Sequence, residues 1–116
     1  MVSPDHEHIG MAVDQIDTPV LLCDLDALDH NIQKLAEHFA ASSKQLRPHT
    51  KSHKTPAIAN MQMAAGAIGV TCAKLSEAEA MSEAGITNIL IANQVVGKRK
   101  IERLCKLSKK VDVLVA

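Results

Sequence analysis

From Thr18 onward the apolar positions fall into short continuous runs, separated by longer stretches in which they recur every three or four residues. That alternation of periods predicts strands interleaved with helices. The run TPVLLCD, Thr18 to Asp24, is opened by a proline and reads as a strand. A helix follows, with Asp26 as its predicted cap and Leu28, Ile32, Leu35, Ala36 and Phe39 as one apolar stripe. Beyond Ser42 and Ser43 four further strand-like runs can be named: Gln45 to Lys51, Ala67 to Ala73, Asn88 to Asn93, and Val111 to Ala116. The helices between them have recognisable ends. Thr55 and Pro56 open one that Gly66 closes. Ser76 with Glu79 reads as a capping box for a second, which Gly85 ends. A third runs from about Lys98 to Lys109, with Ile101, Leu104, Cys105 and Leu107 on its apolar side. Residues 1–16 show no sustained period and read as a flexible tail.

Strands apolar along most of their length, alternating with helices at a repeat of about twenty residues, predict an α/β fold: a parallel sheet covered by helices, the first half of a (β/α)8 barrel. The expected organisation is a tail over 1–16, a strand and helix preceding the barrel over 17–44, and four strands with three helices of the barrel over 45–116. Four strands are half of the eight that a closed barrel needs, so the chain reads as truncated. A small open α/β domain is the alternative.

Composition changes this picture little. The chain is 47% hydrophobic and 22% charged, ordinary for a globular protein, and 13 Lys plus Arg balance 13 Asp plus Glu. With no net charge, no long-range field draws it to nucleic acid or an anionic membrane, and neither is an expected partner. The basic run Lys98-Arg99-Lys100 with Lys106, Lys109 and Lys110 reads as a solvated helix face. No signal-like or membrane-spanning stretch stands at the start, so a cytoplasmic location is expected. Cys23, Cys72 and Cys105 are odd in number and set in apolar segments, which predicts reduced, buried thiols. His6, His8, His30 and His38 read as solvent-exposed, and no metal site is expected within the chain. Phe39 is the only aromatic residue, so any tyrosine or stacking ring the chemistry needs must come from elsewhere.

The stretch Leu46-Arg47-Pro48-His49-Thr50-Lys51-Ser52-His53-Lys54 carries the chemistry. Period-two alternation puts Arg47, His49, Lys51 and His53 on one face and Pro48, Thr50 and Ser52 on the other. A row of cationic groups inside a barrel implies an anionic ligand, because like charges repel and lose hydration on burial. Crowding of this kind would leave Lys51 more of its free amine at neutral pH, able to attack an aldehyde. A cofactor with both an aldehyde and a phosphate satisfies both demands, and pyridoxal 5'-phosphate is one. A basic solvent-facing loop is the bland alternative. Zinc at His49 and His53 is disfavoured, since the glutamate of H-E-x-x-H is missing and Pro48 adjoins. Gly66-Ala67-Ile68-Gly69 is too short and apolar to cradle phosphate.

At these residues the chain resembles the D-threonine aldolase and D-serine dehydratase family, barrel-type relatives of alanine racemase. The marks are DTPVLLCDLDAL at Asp17 to Leu28, Asn31, RPHTKSHK at Arg47 to Lys54, AGAIGVTCAKLSEAEAM and AGITNILIANQVVG. The most specific is RPHTKSHK, whose first lysine, Lys51, is the family's cofactor-bonding residue. The resemblance implies that Lys51 is catalytic, with Arg47, His49 and His53 also assigned to the cofactor. It implies that the early strand belongs to a separate β domain, and that a divalent metal ion is held by ligands beyond this chain. It implies a homodimeric complete protein acting on a small D-amino acid, and an inactive isolated fragment. Retro-aldol cleavage of D-threonine or a similar D-3-hydroxy amino acid is the preferred reading. D-serine dehydratase, an amino-acid racemase and a non-catalytic pyridoxal-phosphate-binding protein are the competing ones.

Overall fold

The computed structural model describes residues 8–116. A short 3-10 turn, Val13–Gln15, precedes helix α1, Leu25–Ala40. Then come α2 (Pro56–Ala64), β1 (Val70–Cys72), α3 (Leu75–Glu83), β2 (Asn88–Ile91), α4 (Lys98–Leu107) and β3 (Asp112–Val115). The three strands form one parallel sheet in the order β1-β2-β3. The predicted first barrel strand, Gln45 to Lys51, is a fourth lane rather than a full strand. It joins β1 through a single parallel bridge, His49 to Thr71, and through the Ile68 N–H to Leu46 and Thr71 N–H to Pro48 bonds. Pro48 has no N–H, which limits the ladder to this partial form.

Four parallel lanes in sequence order, each reached through a helix, are the opening arc of a β/α barrel. Helices α2, α3 and α4 lie on one face. There Val70 and Cys72, Ile89 and Ile91 meet Ala59, Leu75, Ala78, Met81, Ile86 and Leu107 in the buried core. Burying a side chain such as Met81 or Ile89 stabilises by about 1.5–3 kcal/mol. The opposite face carries Asn88 and Leu90 half-buried and Asp112 and Leu114 exposed, so along β2 covered and open residues alternate.

Helix ends follow local chemistry. After α2, Gly66 adopts φ 104° and its N–H bonds Met63 while the next N–H, of Ala67, bonds Gln62. After α3, Gly85 at φ 91° repeats the pattern with Ser82, and Ile86 N–H reaches Met81. Both are left-handed terminations that only glycine adopts without strain. Helix starts differ from expectation. Asp24, not Asp26, caps α1, its Oδ1 accepting from the Ala27 N–H at 2.9 Å. Helix α3 begins at Leu75 after Lys74, so Ser76 lies inside it; Glu77 reaches back instead, accepting from the Ala73 N–H at 2.8 Å.

Other expectations are corrected too. Thr18 to Asp24 joins no sheet among the described residues, and Val20, Leu21 and Leu22 are exposed, for no strand lies beside them. In the α1 stripe only Ile32 is fully buried and Leu35 is exposed; in α4, Leu104 and Leu107 face inward while Ile101 and Cys105 do not. Of the three free thiols Cys72 alone is buried, since Cys23 sits in the exposed run and Cys105 on the outer side of α4. His8, His30 and His38 are exposed, whereas the tail reading of residues 1–7, His6 included, lies outside the described residues. Among those described, no helix is long and apolar enough to cross a membrane.

Candidate functional site

The lane Gln45 to Thr50 rises alongside β1 and breaks into a turn at its C-terminal end, where Lys51 stands. Thr50 is the keystone of that turn. Its N–H donates to the Thr71 carbonyl at 2.8 Å, its carbonyl accepts from the Lys54 N–H at 2.8 Å, and its hydroxyl donates to Thr71 O at 3.1 Å. The Cys72 sulfur lies 3.6 Å from the same hydroxyl oxygen. Burial pushes the Cys72 thiol up, partly opposed by the Thr50 bond and reinforced by the negative charge of Glu77. Thr50 is 1% exposed, so these bonds satisfy a polar group shut away from water.

The predicted alternation holds only to this point. Pro48 and Thr50 are buried and Arg47 and His49 half-buried, but Lys51 and His53 belong to the turn and no longer share a strand face. The turn is instead fastened by two histidines used alike. His49 Nδ1 accepts from the Lys51 N–H at 3.2 Å, and His53 Nδ1 accepts from the Thr55 N–H at 3.0 Å. An imidazole nitrogen that accepts leaves its proton on the other, so both rings carry it on Nε2. Burial holds His53 below the usual histidine range. Its Nε2 is buried and unpartnered among the described residues. The Thr55 hydroxyl donates to the His53 carbonyl at 2.7 Å rather than capping α2, and Lys54 between them takes φ 51°, rare for a side chain of its size.

The crowd of cations is thinner than the sequence suggests. Arg47 donates to Asn88 Oδ1 at 2.7 Å, low on the open face, and its Nε is buried without a partner. Lys54 Nζ stands 3.6 Å from Glu77 Oε1. The Lys51 side chain is exposed and has no hydrogen-bond or ion-pair partner among the described residues. The structure thus brings Lys51, His49 and His53 together on one turn and directs Arg47 elsewhere. It adds residues that motif reading missed. Asn93 Nδ2 donates to Ala73 O at 3.1 Å, tying the ends of β1 and β2, and Glu77 Oε2 holds the Ala73 N–H. The position of Asn93 just past the end of β2 is an available signal, whereas Glu77, inside α3, carries none.

A primary amine free of partners, held on a turn whose backbone is bonded at Thr50, Lys51 and Lys54, can act as a nucleophile toward a carbonyl carbon. The neutral His53 supplies a hydrogen-bond donor whose acceptor would have to come from a ligand or from further chain.

Comparison with known proteins identifies the family. The family described as Alanine racemase, N-terminal domain, matches residues 23–116. The 3-hydroxy-D-aspartate aldolase of Paracoccus denitrificans is 42% identical over 101 residues, 86% of this chain and 26% of that protein. The D-threonine aldolase of an Arthrobacter species is 39% identical over 106 residues, 91% of this chain and 28% of that one. Among solved structures, D-threonine aldolase from Filomicrobium marinum superposes with a TM-score of 0.84 at 53% identity, over 86% of this chain and 27% of the other. D-threo-3-hydroxyaspartate dehydratase from Delftia sp. HT23 does so at 0.76 and 36%. The chain therefore spans about a quarter of the length of the curated relatives it matches. With four parallel lanes in barrel order and a match over residues 23–116, this chain belongs to the alanine racemase N-terminal domain family.

Proposed function

We propose that this chain supplies the lysine-bearing opening arc of a pyridoxal-phosphate-dependent lyase acting on D-3-hydroxy amino acids, most simply an aldolase. The observation that carries the proposal is the exposed, unpartnered Lys51 on a turn whose backbone is fixed on both sides by His49, Thr50 and His53. These residues fit the cofactor: an accessible amine for its aldehyde, and in His53 an orphaned donor for one of its oxygens or for a substrate carboxylate. When bound, pyridoxal phosphate supplies an electron sink conjugated to the substrate's α-carbon.

Lys51 would hold the cofactor through its free amine, and that amine, when not so engaged, could hold or deliver a proton at the substrate. His49 fixes the Lys51 backbone through Nδ1, so its contribution is positional. His53, neutral and with its proton on Nε2, donates rather than abstracts. Arg47 donates to Asn88, so in this reading it serves the cofactor through the lane that carries Lys51. The phosphate-binding loops and the ligands of a divalent metal belong in this reading to chain beyond residue 116.

The relatives' names favour cleavage: two aldolases of D-3-hydroxy amino acids, and the 53% identity to the Filomicrobium D-threonine aldolase. Dehydration is the second reading, favoured by the Delftia enzyme. Incubating the complete protein with D-threonine and with 3-hydroxy-D-aspartate separates them. Glycine with acetaldehyde or glyoxylate supports cleavage; a keto acid with ammonia supports dehydration; bound cofactor without turnover makes it a carrier. Borohydride treatment followed by peptide mapping tests the anchor itself, and label on any lysine other than Lys51 would refute it.

A further inference from the structure

Register sets four residues in one row across the open face of the sheet. His49 bridges Thr71 and Val70 pairs with Ile89, so, extending the register, Arg47 stands beside Gly69 and Gly69 beside Asn88, which pairs with Asp112. Neighbouring lanes are about 4.8 Å apart, so Arg47 and Asn88 bond across some 10 Å of sheet, over the lane between them. Only a long guanidinium and an amide leaning toward it can close that span, and only if the middle position carries no side chain. Gly69 meets the requirement. A Cβ there would lie 2.3 Å from the Asn88 carbonyl oxygen and 2.9 Å from its Cγ and Oδ1. This glycine is needed for space, not for a left-handed backbone, unlike Gly66 and Gly85.

The lane Gln45 to Thr50 needs such a tie. Its backbone bonds to neighbouring strands go only to the β1 side, and Pro48 can donate none. The Arg47–Asn88 bond, 2.7 Å and charge-assisted, is the one side-chain bond from this lane to β2 among the described residues. Four residues further along, Lys51 leaves the sheet.

We propose that Arg47, Gly69 and Asn88 form a positioning brace, the Arg47–Asn88 bond over Gly69 fixing the lane against β2 and so the height at which the Lys51 amine is presented. The proposal rests on the assignment of Lys51 as the cofactor anchor. None of the three is a catalytic residue; each acts through the lane that carries Lys51.

Two measurements on the complete protein test it. The first needs no cofactor: amide exchange at Ile68 and Thr71, whose N–H groups hold Leu46 and Pro48, reports how firmly the lane is seated. The second is the rate at which added pyridoxal phosphate becomes borohydride-stably attached to Lys51. Asn88→Ala should speed exchange at both amides and slow attachment roughly tenfold, as misplacement of a reacting group does. Asn88→Asp, which keeps an acceptor in place, should restore both to within about twofold, and the Arg47→Met, Asn88→Ala double variant should be no slower than either single one. Parental attachment rates in folded Asn88→Ala protein, or multiplicative effects in the double variant, overturn the brace. If exchange responds while no attachment at Lys51 occurs even in the parent, the anchor assignment fails and the lane's seating by Asn88 stands.

Discussion

Lys51 and Thr50 are neighbours with opposite obligations. Thr50 is buried and bonded at every polar atom, while Lys51 beside it touches nothing with its amine, so a rigid backbone carries a free functional group. Replacing Lys51 with alanine removes no hydrogen bond or ion pair among the described residues. Its expected effect on stability is within about 0.5 kcal/mol, against complete loss of borohydride-stable cofactor attachment; equal losses in thermal midpoint and attachment would mean a structural lysine. His53 makes a prediction of its own. Its folded state holds the imidazole below the ordinary value of 6.5, so below that pH the unfolded chain takes up a proton the folded one refuses. The contribution to stability is therefore whole above about pH 6.5, is lost as pH falls below it, and stops falling once His53 is protonated in the fold. Urea midpoints of the complete protein and of its His53→Gln variant, compared from about pH 7.5 down to about 5.5, should converge as acidity rises. Parallel curves would show that His53 is not the group responsible. RPHTKSHK was legible as chemistry from residue types alone, but the role of each residue was not. Alternation assigns faces only while the strand lasts, and nothing in the letters announces that Thr50 ends it.

Helices announce their ends more clearly than their beginnings. Gly66 and Gly85 could be placed from sequence because a left-handed residue is required after the last turn and few residues but glycine take that conformation cheaply. Caps at the start are chosen among several polar candidates by where the backbone turns from extended to helical. Asp24 and Asp26 are two residues apart, and both satisfy the composition rule. The extended conformation at Asp24, φ −73° and ψ 111°, decides between them. Asp24→Ala should accordingly cost about 1 kcal/mol in urea denaturation of the complete protein. Asp26→Ala, which loses only a charge near the helix N-terminus, should cost less, about 0.3–0.5 kcal/mol. The reverse order would restore the sequence-based assignment. The capping box at Ser76 failed for a similar reason: Glu77 reaches the Ala73 N–H from inside the helix, so the motif's acid is present but two residues earlier than its serine suggests.

At the scale of the whole arc, the parallel sheet was readable because every strand run is followed by a helical one, and parallel neighbours demand such crossovers. What the pattern could not convey is that the two faces of the sheet differ. Val70, Ile89 and Val113 and Thr71, Leu90 and Leu114 are alike in hydropathy to within a residue or two, yet the first row meets helices and the second meets the barrel's interior. Leu114 is 54% exposed and Val115 42%, on a strand whose far edge carries unpaired backbone groups among the described residues. An apolar face beside an open parallel edge is a template for another copy or for any strand that can pair with it. The 116-residue chain on its own should therefore bind a hydrophobic dye and sediment as concentration-dependent assemblies. The complete protein, with this face enclosed, should bind no such dye and show no open-ended assembly. Leu114→Lys places a charge on the open face and touches no core residue, so in the isolated chain it should shift sedimentation toward the monomer while leaving the helical circular dichroism unchanged. A monomeric, dye-silent parent chain would mean that the arc covers its own interior face.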